Sequence, residues 1–531
     1  MNLLELPWLS IALWLPALGA LLLFLLPVGR QALYRQVALG VTGATFAVTV
    51  GITWLFVSGP YGPLGPNGAV IGPPLQFVEQ LSWIPAFGAS YSLGLDGINL
   101  WLIVLTSLLA PFAVVATWSR HTRPTRTMMA LLLLMETALL GAFMSQDMLL
   151  FYVFFEAALI PAVLLVGMWG SEGHTRAAFR LFLYTFAGSV LMLIGIIALS
   201  VLHRTAIVAT DPGFSGTFEL RRIVADMQSG AFVLDPSIGR LIFGAFFIAF
   251  AVKMALWPFH TWLPDAYAAA PTPVAILLAG VMSKFGAYGL IRFNLTLFPE
   301  LSAWAAPAIG ILAVIGIIYA AAVAFSQNDL SRVIAYASIS HMNMIALGIF
   351  ALNSLGIDGA LFQMVAHGVT TAALFLIVAV LYDRREVREL SSFGGLWMVT
   401  PKLAGVTLLI LLAMIGLPGL SGFVGEFTMM QGVFTSSELG WPFAAGAAFG
   451  VILAAAYGLR IFHSTFMGEV ENAANLDMPD LNRREYLALG VLAAVVVLVG
   501  FFPNLIFAPL GGTVEGLIAG LTNSGVAALL P

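Results

Sequence analysis

Ionisable side chains are scarce in this sequence of 531 residues, and several of them interrupt long apolar stretches. The sequence contains three lysines, of which Lys253 and Lys284 lie near the middle of such stretches and Lys402 does not. A lysine at the centre of a bilayer costs roughly 2.5–3.5 kcal/mol even on a permissive insertion scale. A passive scaffold gains nothing from that cost, so we expect the two central lysines to handle a cation, and first of all a proton.

Carboxylates and histidines accompany these lysines inside the apolar stretches. A carboxylate near a lysine changes the proton affinity of both groups. Glu156 is therefore expected to hold Lys253 charged and, by moving away, to let it release a proton. Histidine titrates near neutrality and passes protons in either direction. The predicted relay consists of Glu156, Lys253, Lys284, His341, His367 and Glu426, with Glu136 and His260 as further candidates.

Each of these residues also has a purely structural interpretation. The lysines could donate hydrogen bonds to carbonyl groups freed near helix breaks, and Glu156 could neutralise a lysine for folding alone. His341 and His367 could be satisfied hydrogen-bond partners between helices. His260 favours a structural role, because it closely follows a predicted helix break. Aspartates at predicted helix ends are expected to cap helices or contact loops; they are Asp96, Asp147 and Asp265.

The composition excludes a soluble protein. Hydrophobic residues make up 60% of the chain and charged residues 9%, and the mean hydropathy is +0.99. So little polar surface is typical of a polytopic membrane protein. The net charge of −4 does not suggest a nucleic-acid partner. Because cysteine is absent, disulfides, iron–sulfur clusters and thiolate metal sites are excluded within this chain.

Fourteen apolar stretches of about 20 residues match the thickness of a bilayer core. The seventh and twelfth are too long for one straight span and contain Pro258 and Pro418, so a broken helix is predicted at each. The N-terminal stretch lacks a basic region and a cleavage site, so a retained first helix is expected. The segment after Pro503 is expected to lie at the surface. The predicted spans are residues 8–28, 35–57, 95–118, 127–145, 148–169, 177–202, 240–270, 274–297, 301–325, 331–352, 357–381, 401–434, 441–466 and 486–503.

The two long loops differ in character. Segment 58–94 is rich in proline and glycine and contains no basic residue, and alternating polarity from Tyr91 to Asp96 predicts a short strand or hairpin at its end. Segment 203–239 carries charges of both signs.

The basic residues predict an orientation in the membrane. Fifteen of the 22 lie between the spans on one side, five lie on the other side, and two are Lys253 and Lys284. The basic side is expected to be cytoplasmic, which places both termini outside. The fifteen are Arg30, Arg35, Arg120, Arg123, Arg126, Arg176, Arg180, Arg332, Arg384, Arg385, Arg388, Lys402, Arg460, Arg483 and Arg484; the five are Arg204, Arg221, Arg222, Arg240 and Arg292.

The two predicted breaks lie five spans apart, which suggests an internal repeat. A shift by an odd number of spans inverts orientation, as in many transporters with broken helices at equivalent positions. The predicted fold is therefore an all-α membrane protein with two inverted five-helix repeats, each with one broken helix. Its parts are residues 1–126 with spans 1–3 and an outer loop, 127–297 and 298–470 as the two repeats, and 471–531 with span 14 and a surface segment.

Four stretches of this sequence resemble the antiporter-like subunits of respiratory complex I. The likeness runs from about residue 90 to 470. Glu426 stands where sister subunits usually carry lysine, and the chain stops soon after span 14. One departure is WLPDAY, where Tyr267 replaces an expected histidine at a position expected to be peripheral to the relay. The four stretches are KMALWPFHTWLPDAYAAAPTPVAILLAGVMSKFGAYGLIR (253–292), LLFYVFFEAALIPAVLLVGMWG (149–170), SQNDLSRVIAYASISHMNMI (326–345) and FQMVAHGVTTAALF (362–375).

The resemblance implies a proton-translocating subunit of an NADH (or ferredoxin)–quinone oxidoreductase. It implies that protons pass from near Lys284 through the two histidines to Glu426, while the pair Glu156–Lys253 gates the path. Glu136 matches a helix-four glutamate of less defined role. Other membrane subunits, including sister antiporter-like subunits, are the implied partners. NADH, FMN, iron–sulfur clusters and quinone would belong to partner subunits, with no cofactor or metal in this chain. The implied location is the bacterial cell membrane rather than the thylakoid.

Three other functions stay open from the sequence. An Mrp-type cation/proton antiporter subunit or a membrane hydrogenase subunit would share the same core. A membrane cytochrome would use His341 and His367 as axial haem ligands, but it leaves the lysines and glutamates unexplained. A purely structural anchor would tolerate loss of Lys253.

Overall fold

The computed structural model describes residues 6–58, 75–119 and 125–523. Predictions on Arg120, Arg123 and most of the proline- and glycine-rich loop therefore fall outside the described residues. In the described part, thirteen helices are long and apolar enough to cross a membrane. The chain is an all-α polytopic membrane protein with one added β-hairpin.

The helices follow the predicted spans closely. The helices are α1 (Trp8–Leu25), α2 (Gln31–Ser58), α3 (Gly97–Ala116), α4 (Arg126–Met144), α5 (Met148–Ala157), α6 (Leu159–Trp169), α7 (His174–Val208), α8 (Leu220–Gln228), α9 (Pro236–Met254), α10 (Leu263–Ala269), α11 (Thr272–Leu277), α12 (Lys284–Gly289), α13 (Pro299–Ser326), α14 (Leu330–Ile349), α15 (Ser354–Arg385), α16 (Leu396–Val399), α17 (Pro401–Met414), α18 (Ser421–Phe434), α19 (Trp441–Phe466), α20 (Arg483–Phe501) and α21 (Asn504–Asn523).

Two predicted spans do not qualify as single apolar helices, for different reasons. Span 10 is α14, whose serine, histidine and asparagine side chains interrupt an otherwise apolar sequence. Span 12 is divided into α17 and α18, each 14 residues long. Span 10 is therefore less apolar, and span 12 less continuous, than the other predicted spans.

Both predicted helix breaks are present. In span 7 the helix α9 ends at Met254, Ala255 adopts φ = 59°, and the chain passes through a cis Trp257–Pro258 bond before α10 begins. In span 12 the connection between α17 and α18 contains Pro418 between two glycines with positive φ. The inverted relation between the two repeats stays a prediction.

Span 8 is one continuous helical segment, Thr272–Leu295, but it is not α-helical throughout. Two π-helical stretches, Leu278–Met282 and Leu290–Leu295, lie on either side of α12. A π-helical stretch shifts the pattern of backbone hydrogen bonds, which makes individual carbonyl oxygens accessible to side chains. Lys284 is the first residue of α12 and follows the first of these stretches.

The predicted hairpin is confirmed. Strands β1 (Gln76–Ile84) and β2 (Ala89–Leu95) pair antiparallel. The hairpin contacts the connection between α4 and α5, because the backbone N–H of Gln146 donates to Ser92 O at 2.9 Å and Ser90 donates to Asp147. Asp147 in turn caps α5, as predicted.

The loop 203–239 folds over the same end of the bundle. Met148 N donates to Phe218 O at 2.9 Å, which joins the loop to the start of α5. His203 is buried and contacts Asp226 of α8 at 2.9 Å. Burial alone would raise the pKa of Asp226, but hydrogen bonds from His203 and Arg222 lower it below its ordinary value.

The C-terminal segment forms the helix α21. By length and composition its residues Asn504–Leu521 could cross a membrane. The helix packs against the first turns of α3: Trp101 donates to Ile506 O at 3.2 Å, and Gly97 N donates to Thr513 at 3.0 Å. The surface placement of this segment stays a prediction.

A buried ion pair fixes the start of α3. Asp96 caps α3 by accepting hydrogen bonds from Ile98 N and Asn99 N, and its second carboxylate oxygen accepts from Arg292 of span 8. Tyr288 also contacts Arg292, at 3.1 Å. Asp265, the third predicted end aspartate, lies in the first turn of α10 and pairs with arginines of α7 and α14.

The first testable prediction concerns Asp96. Removing one partner of a buried ion pair costs about 3–5 kcal/mol, because the other charge stays buried and unpaired. The exposed cap Asp235 of α9 accepts the same kind of backbone hydrogen bonds. Its loss should cost only about 1 kcal/mol. Thermal unfolding of the purified protein should therefore show a much larger drop for Asp96→Ala than for Asp235→Ala. Equal drops would show that the pair with Arg292 adds nothing.

Candidate functional site

Four of the predicted relay residues form one row at the centre of the protein. Lys284 Nζ lies 2.7 Å from His367 Nδ1. The rings of His367 and His341 are 5.5 Å apart between centroids. His341 Nδ1 lies 3.3 Å from Glu426 Oε1. All four side chains are at most 5% exposed. The row joins span 8 to α15, α14 and α18, so it runs across the bundle.

Lys284 Nζ has three hydrogen-bond partners. It donates to Ala279 O at 2.6 Å and to Ser283 Oγ at 3.3 Å, in addition to its hydrogen bond with His367 Nδ1. An ammonium group, which has three protons, can donate to all three when Nδ1 of His367 is unprotonated. Ala279 lies in the first π-helical stretch, so the irregular helix supplies the carbonyl that the lysine needs.

The two helices that carry Lys284 and His367 approach closely. A Cβ added at Gly368 would lie 2.7 Å from Gly280 O, so only glycine fits there. Gly368 directly follows His367 in α15, and Gly280 lies one turn before Lys284. This contact between backbones brings the lysine and the histidine within hydrogen-bond distance.

Glu426 ends the row at the second helix break. Its Oε1 also accepts from Gln363 Nε2 at 3.4 Å. A Cβ added at Gly416, in the break between α17 and α18, would lie 2.5 Å from Glu426 Oε2. Tyr457 OH lies 3.5 Å from His341 Nε2. The nitrogens of His341 therefore face a carboxylate and a phenol.

Lys253 has different surroundings from Lys284. It is 1% exposed, and its Nζ has no hydrogen-bond partner among the described residues. The ammonium lies 4.4 Å from the centroid of the Phe155 ring and 5.9 Å from that of Phe285. Aromatic faces attract a cation through their quadrupole. Phe155 directly precedes Glu156 in the chain, and Phe285 directly follows Lys284. The two rings stack on each other with 5.5 Å between their centroids.

Glu156 attracts Lys253 electrostatically, as predicted, but the two do not touch. No ion pair within 4 Å joins them in the described part of the chain. Glu156 is half-buried, one of its oxygens lacks a hydrogen-bond partner there, and the Ser189 hydroxyl is a neighbour. The structure thus holds the pair in a separated arrangement.

The two further candidates do not join the row. Glu136 in α4 is fully buried, and neither of its oxygens has a hydrogen-bond partner among the described residues. His260 lies in the break after Pro258 and packs edge-on against Tyr319 at 5.3 Å. His260 therefore fits the structural interpretation.

Tyr267, which the sequence places outside the relay, lies close to the π-helical stretch before Lys284. It is 1% exposed, and its hydroxyl donates to Leu278 O at 3.2 Å. Leu278 is the neighbour of Ala279, which accepts from Lys284. The expectation that Tyr267 is peripheral to the relay stays a prediction.

The sequence did not predict three polar residues that lie near the row: Gln363, Tyr457 and Asn343. Neutral amides and phenols occur in structural roles throughout membrane helices, so their type alone gives no signal. Asn343 does lie two residues after His341, and Gln363 lies one turn before His367. That spacing was the available signal.

Comparisons with known proteins agree with this geometry. The family described as NADH:quinone oxidoreductase/Mrp antiporter, TM, matches residues 145–453. The chain is 39% identical over 517 residues to NADH-quinone oxidoreductase subunit M of Rhodobacter capsulatus, which covers 96% of each protein.

Solved structures share the fold. A chain of respiratory complex I from Thermus thermophilus with bound NADH superposes with a TM-score of 0.83 and 32% identity, covering 97% of this chain and 99% of that one. A chain of the Mrp complex from Dietzia sp. has a TM-score of 0.76 at 20% identity, covering 98% of this chain and 55% of that one. The second likeness shows the fold alone.

The contrast between the two lysines gives the second prediction. Lys284→Met removes the three hydrogen bonds of the ammonium group, and hydrogen bonds to a charged group are worth about 1.5–3 kcal/mol each. Lys253→Met removes a buried charge that has no hydrogen bonds and leaves a side chain of similar length. Thermal unfolding should therefore show a clear loss of stability for Lys284→Met and little change or a gain for Lys253→Met. The reverse order would contradict the described surroundings.

Proposed function

Because the chain belongs to the family of NADH:quinone oxidoreductase and Mrp antiporter membrane subunits, we propose that it moves protons across a bacterial cell membrane as a subunit of an NADH–quinone oxidoreductase. The observation that supports this most is the continuous buried row from Lys284 to Glu426. Ionisable groups at membrane depth are costly and mark proton pathways by default.

The row can pass a proton by short steps. The ammonium of Lys284 donates to Nδ1 of His367, which leaves the other ring nitrogen of His367 as the site from which a proton departs. That nitrogen has no hydrogen-bond partner in the described protein. The planes of the two histidine rings are tilted by 48° to each other. Rotation of either ring, or a bridging water, connects this nitrogen of His367 to His341. His341 then protonates Glu426, which it already contacts.

Lys253 and Glu156 gate this row through charge. Phe285 lies between the two lysines, since it follows Lys284 in the chain and faces the Lys253 ammonium. In the proposed gate, Lys253 separated from Glu156 faces Phe155 and Phe285, and its uncompensated charge disfavours a charge on Lys284 and favours proton transfer to His367. When Lys253 moves toward Glu156, this repulsion falls and Lys284 accepts a new proton.

The proposed topology follows from the basic residues. Protons enter from the cytoplasmic side near Lys284 and leave outward beyond Glu426, and both termini lie outside. Electrons pass through partner subunits that hold FMN and iron–sulfur clusters, from NADH to quinone. Segments 127–297 and 298–470 act as the two inverted repeats, with the breaks at Pro258 and Pro418 in equivalent positions.

Two rival functions are weaker on this evidence. The Mrp-type antiporter has the same fold, but the chain is 20% identical to the Mrp complex chain, against 39% for the quinone oxidoreductase subunit. A haem between His341 and His367 does not fit the donor set. Both nitrogens of His341 face Glu426 or Tyr457, and Nδ1 of His367 is bonded to Lys284.

The third prediction tests the gate. In the assembled complex, Lys253→Ala and Glu156→Ala should both lower proton translocation and the quinone reduction coupled to it. The reason is that the electrostatic potential at Lys284 then no longer changes when the pair Glu156–Lys253 rearranges. Proton uptake into vesicles and NADH oxidation, measured together, check this. His203→Ala is the control at a buried histidine outside the row and outside both breaks. Wild-type proton yield and electron transfer in both gate variants would refute the assignment.

The fourth prediction tests the end of the row. Glu426→Ala removes the last proton site, so it should strongly reduce proton translocation. Glu426→Lys keeps an ionisable group beside His341 and should be milder. The same vesicle assay compares the two variants at equal amounts of assembled complex. A lysine variant as impaired as the alanine variant would show that the carboxylate itself, and not an ionisable group, is needed.

A further inference from the structure

The break after Lys253 frees backbone groups that must find partners inside the protein. An unpaired backbone group in the hydrocarbon region costs several kcal/mol. Trp262 Nε1 donates to Val252 O at 3.0 Å. The next groups along the chain are served by Asn343: its Nδ2 donates to Ala255 O at 3.3 Å, and its Oδ1 accepts from Trp257 N at 3.1 Å.

Asn343 does not belong to the half of the protein that contains this break. It lies in α14, two residues after His341, and it is fully buried. Its Nδ2 also donates to Ile339 O of its own helix at 2.7 Å. A Cβ added at Gly316 of α13 would lie 2.0 Å from Asn343 Oδ1. The amide is therefore held on three sides, with no room to turn away from the break.

We propose that Asn343 is a positioning residue that couples the break after Lys253 to the helix that carries His341. One amide bridges the two backbone groups on either side of Leu256, and its own backbone is two residues from His341. A change in the break as Lys253 moves between Phe155 and Glu156 thus displaces α14 directly. His341 then changes its distance to His367 or to Glu426.

This inference rests on the proposed function, and it predicts more than a loss of stability. Ser340 offers a matched comparison in the same helix. It is also buried, and it donates to Ile317 O of α13 at 2.9 Å, but it does not contact the break. Loss of either side chain removes a hydrogen bond between α14 and a neighbour. Only loss of the Asn343 side chain removes the hydrogen bonds that join α14 to the break after Lys253.

The experiment compares Asn343→Leu with Ser340→Ala in the assembled complex in vesicles. Asn343→Leu keeps the branched shape of the side chain and removes every hydrogen bond of the amide. Its proton-transfer rate per electron should fall about 2- to 30-fold, the range expected for substitutions within a coupled network. Ser340→Ala should keep the wild-type ratio. Equal ratios in the two variants would overturn the proposal.

A second variant gives a readout that a structural role would not change. In Asn343→Asp, a neutral carboxylic acid both donates to Ala255 O and accepts from Trp257 N, whereas a carboxylate repels that carbonyl. Proton translocation should therefore recover as pH falls and decline as pH rises, relative to wild type. A flat ratio to wild type across pH would overturn the proposal, and this variant decides the matter if Asn343→Leu fails to assemble.

Lys253→Ala, measured in parallel, distinguishes a failure of the proposed gate from a failure of the coupling through Asn343. If it keeps wild-type pumping, the proposed gate fails whatever the Asn343 variants do. If it loses pumping while Asn343→Leu and Asn343→Asp behave like wild type, only the coupling through Asn343 fails.

Discussion

A polar group in the interior of a membrane protein must find its partner within the protein. Water is excluded there, so every charge and every freed backbone group costs free energy until another residue satisfies it. Lys284 meets this constraint with three hydrogen-bond partners, one of which is a carbonyl of a π-helical stretch. Lys253 meets it only in part, through two aromatic faces and the attraction of Glu156. The difference makes Lys253 the more easily moved of the two side chains.

The same constraint explains why irregular backbone and ionisable residues occur together. The break in span 7 follows Lys253 directly, and the break in span 12 contacts Glu426 through Gly416. The π-helical stretch lies immediately before Lys284. Each irregularity exposes backbone dipoles or makes space where a charge must be accommodated. The partners often come from the other half of the chain, as Asn343 does for the first break. Distant segments are thereby joined at the points where charge changes.

Much of this arrangement could be predicted from the sequence. Composition and the length of apolar stretches predicted a polytopic helical membrane protein, because a bilayer imposes a fixed length and polarity. Pro258 and Pro418 predicted the two breaks, since proline has no N–H to donate, and the alternation from Tyr91 to Asp96 predicted the hairpin. Lys284, His367, His341 and Glu426 were recognised by type and depth.

The distances between these residues could not be predicted. Lys284 and His367 are 83 positions apart, and their contact depends on two glycines that let helices approach. The π-helical stretches have no sequence signature comparable to proline. Tyr267, Gln363 and Asn343 carry no charge, so neither hydropathy nor cost at membrane depth distinguished them. Each is important because of which backbone or side chain it reaches, and that is a property of the packed structure.

The central claim is that Lys284, His367, His341 and Glu426 form one connected proton path. Its most direct test is an infrared difference spectrum of the assembled complex during NADH oxidation. Glu426→Gln assigns the carboxylic-acid band of Glu426 by its disappearance. If the path is connected, His367→Ala should remove the protonation change at Glu426 while the glutamate is still present. A Glu426 band that persists unchanged in His367→Ala would show that protons reach this carboxylate by another route.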